Sequence, residues 1–235
     1  MFVKRENMEI KPIARIYSDF TDKFGIPRQS GLVDDLTAKI VFEPPYRNPD
    51  ALKGLDGFSY IWLIWEFTKT HTNTFHASVR PPRVGGNGHM GVFATRSPYR
   101  PNSLGLSSVR IKDIIPESEE GPVIIVGGAD ILSGTPVYDI KPYLPYADCH
   151  EDARAGFAGL VGDYRLDVHM SEEVRKAVPH EKLAALTGVL AEDPRPSYEN
   201  RDEGRIYGMH FGDLEVKFCI TGKDLTVVSV SPIEQ

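Results

Sequence analysis

Residues 91–110 read GVFATRSPYRPNSLGLSSVR, and the reading of this stretch decides the fold. An apolar run over residues 90–94 enters it and predicts a buried strand. Ser97-Pro98 and Pro101-Asn102 then turn the chain sharply, and a second apolar run over residues 104–111 leaves it. Strand, rigid polar loop and strand succeed one another. Such a loop holds a binding site on a fixed scaffold, and this one carries Arg96, Arg100 and Asn102.

Charge marks the same region. Between Glu66 and Asp113 there is no acidic residue, whereas Lys69, Arg80, Arg83, Arg96, Arg100, Arg110 and Lys112 all lie there. These seven positive charges sit in a chain of formal net charge -6, which leaves -13 for the remainder. Attraction to polyanions is therefore no property of the whole molecule, and an anionic partner is expected at one place. Any single arginine could instead pair with an acid from elsewhere in the chain. Four arginines in or beside proline-stiffened turns (Arg80, Arg83, Arg96 and Arg100) make that a poor account of the set.

The chain is long enough, at 235 residues, for one large domain or two modest ones. Its 41% hydrophobic and 26% charged residues are those of an ordinary soluble globular protein. The densest apolar run, residues 61–67, is interrupted by Glu66 and far too short to span a bilayer, so no membrane is implied. Residues 1–12 carry lysine, arginine and glutamate where a secretory leader needs an apolar stretch. Cys149 and Cys219 read as free thiols of a reducing compartment, and a cytoplasmic location is expected.

Working outward, residues 9–18 predict a first strand and residues 24–32 a loop. Leu36, Ala38, Ile40 and Phe42 alternate with Thr37, Lys39 and Val41, the period of a half-buried strand. Asn48-Pro49-Asp50 starts a short helix that Lys53-Gly54 ends. Residues 58–67, FSYIWLIWEF, predict a strand buried on both faces, with Trp62 and Trp65 as core and not a base-stacking platform. A long loop follows over residues 68–88, and loops of that length inside a compact domain are usually functional. Residues 123–129 and 137–141 predict two more strands.

Some six strands and almost no helix up to Tyr146 point to a β-barrel or sandwich. Beyond about residue 150 the composition shifts. Ser171 caps a helix, Pro179 breaks it, and Leu183, Leu186, Val189 and Leu190 recur at helical spacing. Strands are expected over residues 205–211, 214–221 and 224–230, joined at Gly212-Asp213 and Gly222-Lys223. The fold class is thus mainly β with an α+β C-terminal part: a β-barrel over residues 1–150 and a smaller unit over residues 151–235.

Several chemistries lack support. The seven histidines form no spaced pair on a recognisable helix, and adjacent Cys149-His150 is poor geometry for a metal. No serine stands in a nucleophile-elbow context. Gly85-Gly86-Asn87-Gly88 matches neither a phosphate-binding loop nor a dinucleotide fingerprint, so any nucleotide-like cofactor binds outside a Rossmann fold. A polar cluster remains: Asp130, Ser133-Gly134-Thr135-Pro136, Tyr138, Asp139, Lys141 and Tyr143. Within it Asp139 and Lys141, two apart on a strand, read on their own as an exposed ion pair.

Long motifs decide among the remaining possibilities. The run GVFATRSPYRPNSLG resembles the signature of the TrmO family of tRNA N6-methyltransferases. So do VRPPRVGGN at residues 79–87, DGFSYIWLIWEF at 56–67 and SGTPVYDIKPYLPYAD at 133–148. Asp193-Pro194-Arg195-Pro196-Ser197-Tyr198, with Tyr207, resembles the family's distal motif. The resemblance implies a β-barrel methyltransferase that uses S-adenosylmethionine, works as a homodimer, and methylates N6 of threonylcarbamoyladenosine at position 37, beside the anticodon of threonine tRNA. Carried onto this chain, it implies cofactor contacts at Arg28, Gln29, Ser30, Gly31 and Leu32, at Thr68 and Lys69, at Arg96 and Leu106, and at Gly134, Thr135 and Pro136. Arg100 and Asn102 would shape the site or grip substrate, and Asp139 would polarise N6–H or take its proton. Arg80, Arg83, Lys141 and Tyr143 would meet the substrate. The chain departs from the family pattern at Ser30, Thr68, Ser103 and Ser133. A methyltransferase for a small substrate, or a non-catalytic S-adenosylmethionine sensor, would keep the cofactor motifs but have no use for Arg80, Arg83 or the distal motif.

Overall fold

Alternating apolar residues close the first part of the chain into a cylinder. The computed structural model describes residues 9–70, 74–81, 89–160, 164–195 and 204–233. In chain order its strands begin with β1 (Ala14–Tyr17), β2 (Thr37–Phe42), β3 (Tyr60–Glu66), β4 (Ser78–Val79), β5 (Met90–Gly91), β6 (Leu104–Ile115), β7 (Val123–Gly127) and β8 (Thr135–Pro142). Then come α1 (Pro145–Asp148), β9 (Asp167–His169), α2 (Glu172–Ala177), α3 (His180–Ala191), β10 (Ile206–Phe211), β11 (Leu214–Thr221) and β12 (Asp224–Pro232).

Six strands form a closed barrel in the order β1-β2-β7-β6-β3-β8, with antiparallel pairing all round. Closure leaves no sheet edge, and the inward positions fill the interior. Ile16, Ile40, Ile61, Leu63 and Ile124 are fully buried there. The predicted alternation of β2 holds from Thr37 to Ile40, but at its end Val41 is buried along with Ile40 and Phe42. Strand β3, expected to be buried on both faces, alternates instead: Ile61, Leu63 and Trp65 point in, while Tyr60, Trp62, Ile64 and Glu66 are half-buried. The cause is closure, which gives each strand one inner face only. The outer face of β3 is covered in part, where Tyr143 packs on Trp62 and the indole Nε1 of Trp62 donates to Asp148 Oδ2 on α1 at 2.9 Å.

The apolar run at residues 90–94 is not a five-residue strand. Only Met90 and Gly91 pair, with β4. Thr95 then donates both its amide and its hydroxyl to the Val92 carbonyl, which wraps Val92–Ala94 into a 3-10 turn. Val92 stays buried and Phe93 is thrown out, 73% exposed. The helix expected after Asn48 is likewise a 3-10 turn, Pro49–Leu52, with the Asn48 side chain capping Asp50.

In the C-terminal part Ser171 caps α2 by accepting the Val174 amide, and α3 follows Pro179 as the sequence predicts. The three expected strands, β10, β11 and β12, form a four-stranded sheet with β9 in the order β10-β11-β12-β9. Strand β9, parallel to β12, was not foreseen; three residues carry too little pattern. The core beneath this sheet contains Leu186, Leu190, Phe211, Val216, Phe218 and Leu225, and also Phe20, Val33 and Leu36 from the segment between β1 and β2. The second core therefore crosses the division expected near residue 150. Among the described residues no helix is long and apolar enough to cross a membrane.

Candidate active site

A cleft of about 620 Å3 opens at one end of the barrel. Four stretches build it: Lys23 and Ile26 to Gln29 from the β1–β2 segment, Trp65 to Thr70 at the end of β3, the turn from Thr95 to Arg100 with the start of β6, and Asp130, Leu132 and Thr135 between β7 and β8. Trp65, Phe67, Leu104, Leu106 and Leu132 supply apolar wall, and the remainder is densely charged. Size and lining suit one small-molecule ligand with a few polar anchor points. A second cavity of about 400 Å3, beside Ile13, Phe42, Leu52, Leu55 and Ile140, has Lys53 as the only charged side chain among its described lining residues. Chemistry therefore belongs to the first.

The turn of residues 95–104 is stiffened from within. Arg100 Nη1 donates to the Thr95 carbonyl at 3.0 Å, Ser97 N to Thr95 Oγ1, and Leu104 N to the Asn102 carbonyl at 2.7 Å. Arg96 projects from this brace, and its Nη1 lies 2.5 Å from Gln29 Oε1 on the opposite wall. Lys23 Nζ donates to the Lys69 carbonyl at 2.8 Å, and burial, then the charge of Lys69, lowers the pKa of Lys23. On the acidic side Glu66 accepts the hydroxyl of Tyr138. Burial, then the hydrogen bond to Glu66 and its charge, pushes the Tyr138 phenol up to about 12.

At the floor a short chain of hydrogen bonds joins three strands' ends. Trp65 Nε1 donates to Ser107 Oγ at 3.0 Å, and Ser107 Oγ donates to Asp130 Oδ1 at 2.6 Å. The indole can lie there because residue 105 is glycine: a Cβ at Gly105 would stand 2.3 Å from Trp65 Cε2. Ser107 is only 1% exposed. Burial raises the pKa of Asp130, against the Ser107 hydrogen bond, backbone amides including that of Ser30, and the charge of Arg96, which lower it.

Of the residues singled out in the sequence, Arg28, Gln29, Thr68, Lys69, Arg96, Arg100, Leu106 and Thr135 line this cleft together. Ser30, Gly31 and Leu32 continue the same segment behind it: Gly31 N donates to the Gly128 carbonyl, and Leu32 O accepts from Arg165. Gly134 and Pro136 flank Thr135 but do not line the cleft, and the Gly134 carbonyl accepts from Arg15. Asn102 is exposed at the rim of the turn. Asp139 and Lys141 lie outside the cleft and form an ion pair at 2.7 Å. Tyr143 packs between Tyr60 and Trp62 on the barrel's outer side, and Arg80 is exposed beyond β4. Arg83 lies outside the described residues, as do Pro196, Ser197 and Tyr198 of the distal motif. In that motif Asp193, 7% exposed, binds Arg195 with both oxygens, at 2.8 and 2.9 Å.

Sequence reasoning passed over Trp65, Glu66 and Tyr99 as site residues, and placed Asp130 in a polar cluster without assigning it a role. Trp65 was read as core, and it is both core and wall. Asp130 had a usable signal, an acid directly after a buried apolar run, where a strand delivers its next side chain to the barrel mouth. Among the described residues no group of three or more His, Cys, Asp or Glu side chains could hold a metal ion.

Two family models match the chain in succession: the tRNA-methyltransferase O N-terminal domain over residues 15–149 and the TrmO C-terminal domain over residues 163–233. The tRNA (adenine(37)-N6)-methyltransferase of Escherichia coli (strain K12) is 36% identical over 233 residues, spanning 96% of this chain and 99% of that one. A Pseudomonas aeruginosa relative, RcsF, whose name places it with S-adenosylmethionine-dependent methyltransferases, is 39% identical over 224 residues, 92% of this chain and 94% of its own. The crystal structure of TrmO from P. aeruginosa superposes with a TM-score of 0.78 at 33% identity, covering 98% of this chain and 99% of that one.

Proposed function

The chain belongs to the TrmO family, and on that premise we propose that it transfers a methyl group from S-adenosylmethionine to N6 of adenosine 37 in tRNA. More narrowly, we propose threonylcarbamoyladenosine in threonine tRNA as the acceptor. The observation that carries this reading is the cleft itself, which gathers eight of the residues implicated by the family motifs into one half-enclosed space.

The lining fits the cofactor's chemistry. S-adenosylmethionine presents an aromatic base, a positive sulfonium and a zwitterionic amino-acid end. The wall of Trp65, Leu104, Leu106 and Leu132 suits the base, Arg96 offers a fixed cation for the carboxylate, and Glu66 balances positive charge. When bound, the cofactor supplies an activated methyl group, so the protein's task is alignment and exclusion of water. Arg96, held by Gln29, anchors the cofactor. Arg100 keeps the 95–104 turn in shape, with Asn102 at its rim.

The acceptor is a polyanion, whereas the chain is acidic overall. The basic groups at the mouth, Lys23, Arg28, Lys69 and Arg100, with Arg80 farther out, form a local landing surface that the second subunit of a homodimer extends in the cytoplasm. Arg83, Lys141 and Tyr143 add to the substrate side. We assign catalysis to residues 1–150 and a bracing and RNA-contacting role to residues 151–235. Binding to tRNA should weaken steeply as salt rises, as counterion release requires.

Nucleoside mass spectrometry tests the reading directly. Purified protein and S-adenosylmethionine are incubated with tRNA that carries or lacks the threonylcarbamoyl group. One added methyl on the modified adenosine alone is expected. No methylation of either tRNA, despite measurable cofactor binding, would move the assignment to a small-substrate enzyme or a sensor.

A further inference from the structure

We propose that Asp130, on the floor of the cleft, is the catalytic proton acceptor for the nitrogen that is methylated, and that Ser107 and Trp65 hold its carboxylate in place. The inference rests on the reading above of an adenine N6 acceptor.

N6 of adenine is a poor nucleophile, because its lone pair is conjugated with the ring and, in the carbamoylated form, also with the urea carbonyl. The same conjugation makes its N–H more acidic. A base beside N6 therefore raises its nucleophilicity as the proton departs, the usual gain of positioned general-base catalysis. The balance is simple. N6 forms a bond to the methyl carbon, the donor's carbon–sulfur bond breaks with its electron pair left on sulfur, and the N6 proton passes to the carboxylate of Asp130 and from there to water.

Three features single out Asp130 over Asp139. First, Asp130 lines the cleft, whereas Asp139 lies outside it and is paired with Lys141 at 2.7 Å. Second, its carboxylate is fixed by an ordered chain, Trp65 Nε1 to Ser107 Oγ to Asp130 Oδ1, at 3.0 and 2.6 Å. Ser107 is among the few fully buried polar side chains, and a barrel interior keeps a buried hydroxyl only where it is bonded. Third, Gly105 makes this chain possible, since any side chain there would expel the Trp65 ring. Burial raises the pKa of the carboxyl, which makes it a stronger base than a solvated aspartate. The charged groups that share the cleft are Arg96 and Arg100 from the 95–104 turn, Lys23 and Arg28 from the β1–β2 segment, and Glu66 and Lys69 at the end of β3. Among them Arg96 acts on Asp130 in the opposite direction, its charge favouring the carboxylate.

The test uses the full chain, with Asp130→Asn and Ser107→Ala, on threonylcarbamoylated tRNA. Asp130→Asn should lower kcat by about 100-fold or more, while calorimetry finds its S-adenosylmethionine affinity near that of the wild type. In the wild type, kcat should rise with pH through a carboxyl ionisation above the usual value of about 4. A 13C-carboxyl NMR titration of the free protein should report the same ionisation for Asp130. Ser107→Ala removes a bond to the charged form and should move both the kinetic limb and the NMR titration to higher pH. An Asp130→Asn variant that keeps its turnover, or that loses cofactor affinity in proportion to turnover, overturns the proposal; the second result would make Asp130 a cofactor contact. A wild-type protein that methylates nothing overturns the functional reading, and this role falls with it.

Discussion

Two segments face each other across the cleft, and they are held in opposite ways. The turn of residues 95–104 braces itself: its hydrogen bonds run from Arg100 to Thr95, from Ser97 to Thr95 and from Tyr99 to Ser97. The β1–β2 segment, which carries Arg28 and Gln29, is held from outside. Phe20, Val33 and Leu36 sink into the C-terminal core. Lys182 on α3 reaches Asp19 at 3.1 Å and Asp213 at 2.9 Å, and Gly212 N donates to the Asp19 carbonyl at 2.6 Å. One wall of the site is thus a local structure and the other is a tertiary one. Damage to the C-terminal part should reach the first wall very little and the second directly.

The largest expected effect tests that dependence on the C-terminal core. Phe20 is 1% exposed and meets Phe211 edge-on, with ring centroids 5.9 Å apart. Phe20→Ala should cost about 3–5 kcal/mol in urea unfolding, and the barrel and C-terminal sheet should lose stability together. Two separate transitions, with only one displaced, would break the comparison. Next comes Gly188 on α3, where a Cβ would stand 2.6 Å from Val33 Cγ1. Gly188→Ala should cost roughly 1–3 kcal/mol through overpacking and weaken cofactor binding, although residue 188 does not line the cleft.

Smaller effects sharpen the contrast. Arg100→Ala should cost about 1 kcal/mol of stability and lower activity, with the C-terminal core undisturbed by tryptic or hydrogen-exchange probes. Lys182→Met should cost at most about 1 kcal/mol, because the ion pairs are part-exposed. Its pH dependence follows from the pKa directions. Hydrogen bonding to and charge attraction by Lys182 lower the Asp213 pKa, so that contribution is present at neutral pH and is lost as pH falls through the carboxylate range. Burial alone would lower the Lys182 pKa, but hydrogen bonds to Asp213 and Asp19 and their charges raise it, so its contribution is lost only above the usual lysine range. Wild type and Lys182→Met should therefore differ near neutrality and converge in acid.

The same contrast explains what could be read without a structure. The 95–104 turn was legible because its causes are local: prolines, serine caps and an asparagine set it within ten residues. Barrel strands such as β2 were legible from alternation alone. The run at residues 90–94 misled, because Thr95, a neighbour with no apolar signature, turns it outward. Strand β3 misled because aromatic outer positions look like core until closure assigns them an inside and an outside. The support of the β1–β2 segment was invisible, since Phe20 and Phe211 are far apart in sequence and no pattern links them. Asp130 was noticed in the polar cluster but given no role for the same reason: its partners Ser107 and Trp65 come from other strands. Asp139 lies inside the motif of residues 133–148 and Asp130 three residues before its start, so the resemblance pointed to Asp139.

The most direct test of the account is calorimetric titration of S-adenosylmethionine into wild type, Arg96→Ala and Lys182→Met. Arg96 stands in the cleft and Lys182 does not, yet both should matter. Arg96→Ala should lose about 10-fold or more in affinity, the worth of a charge-assisted contact, and Lys182→Met should lose a smaller but measurable factor with the same stoichiometry. Equal affinity in all three proteins would contradict both the placement of the cofactor in this cleft and the claim that the C-terminal part holds one of its walls.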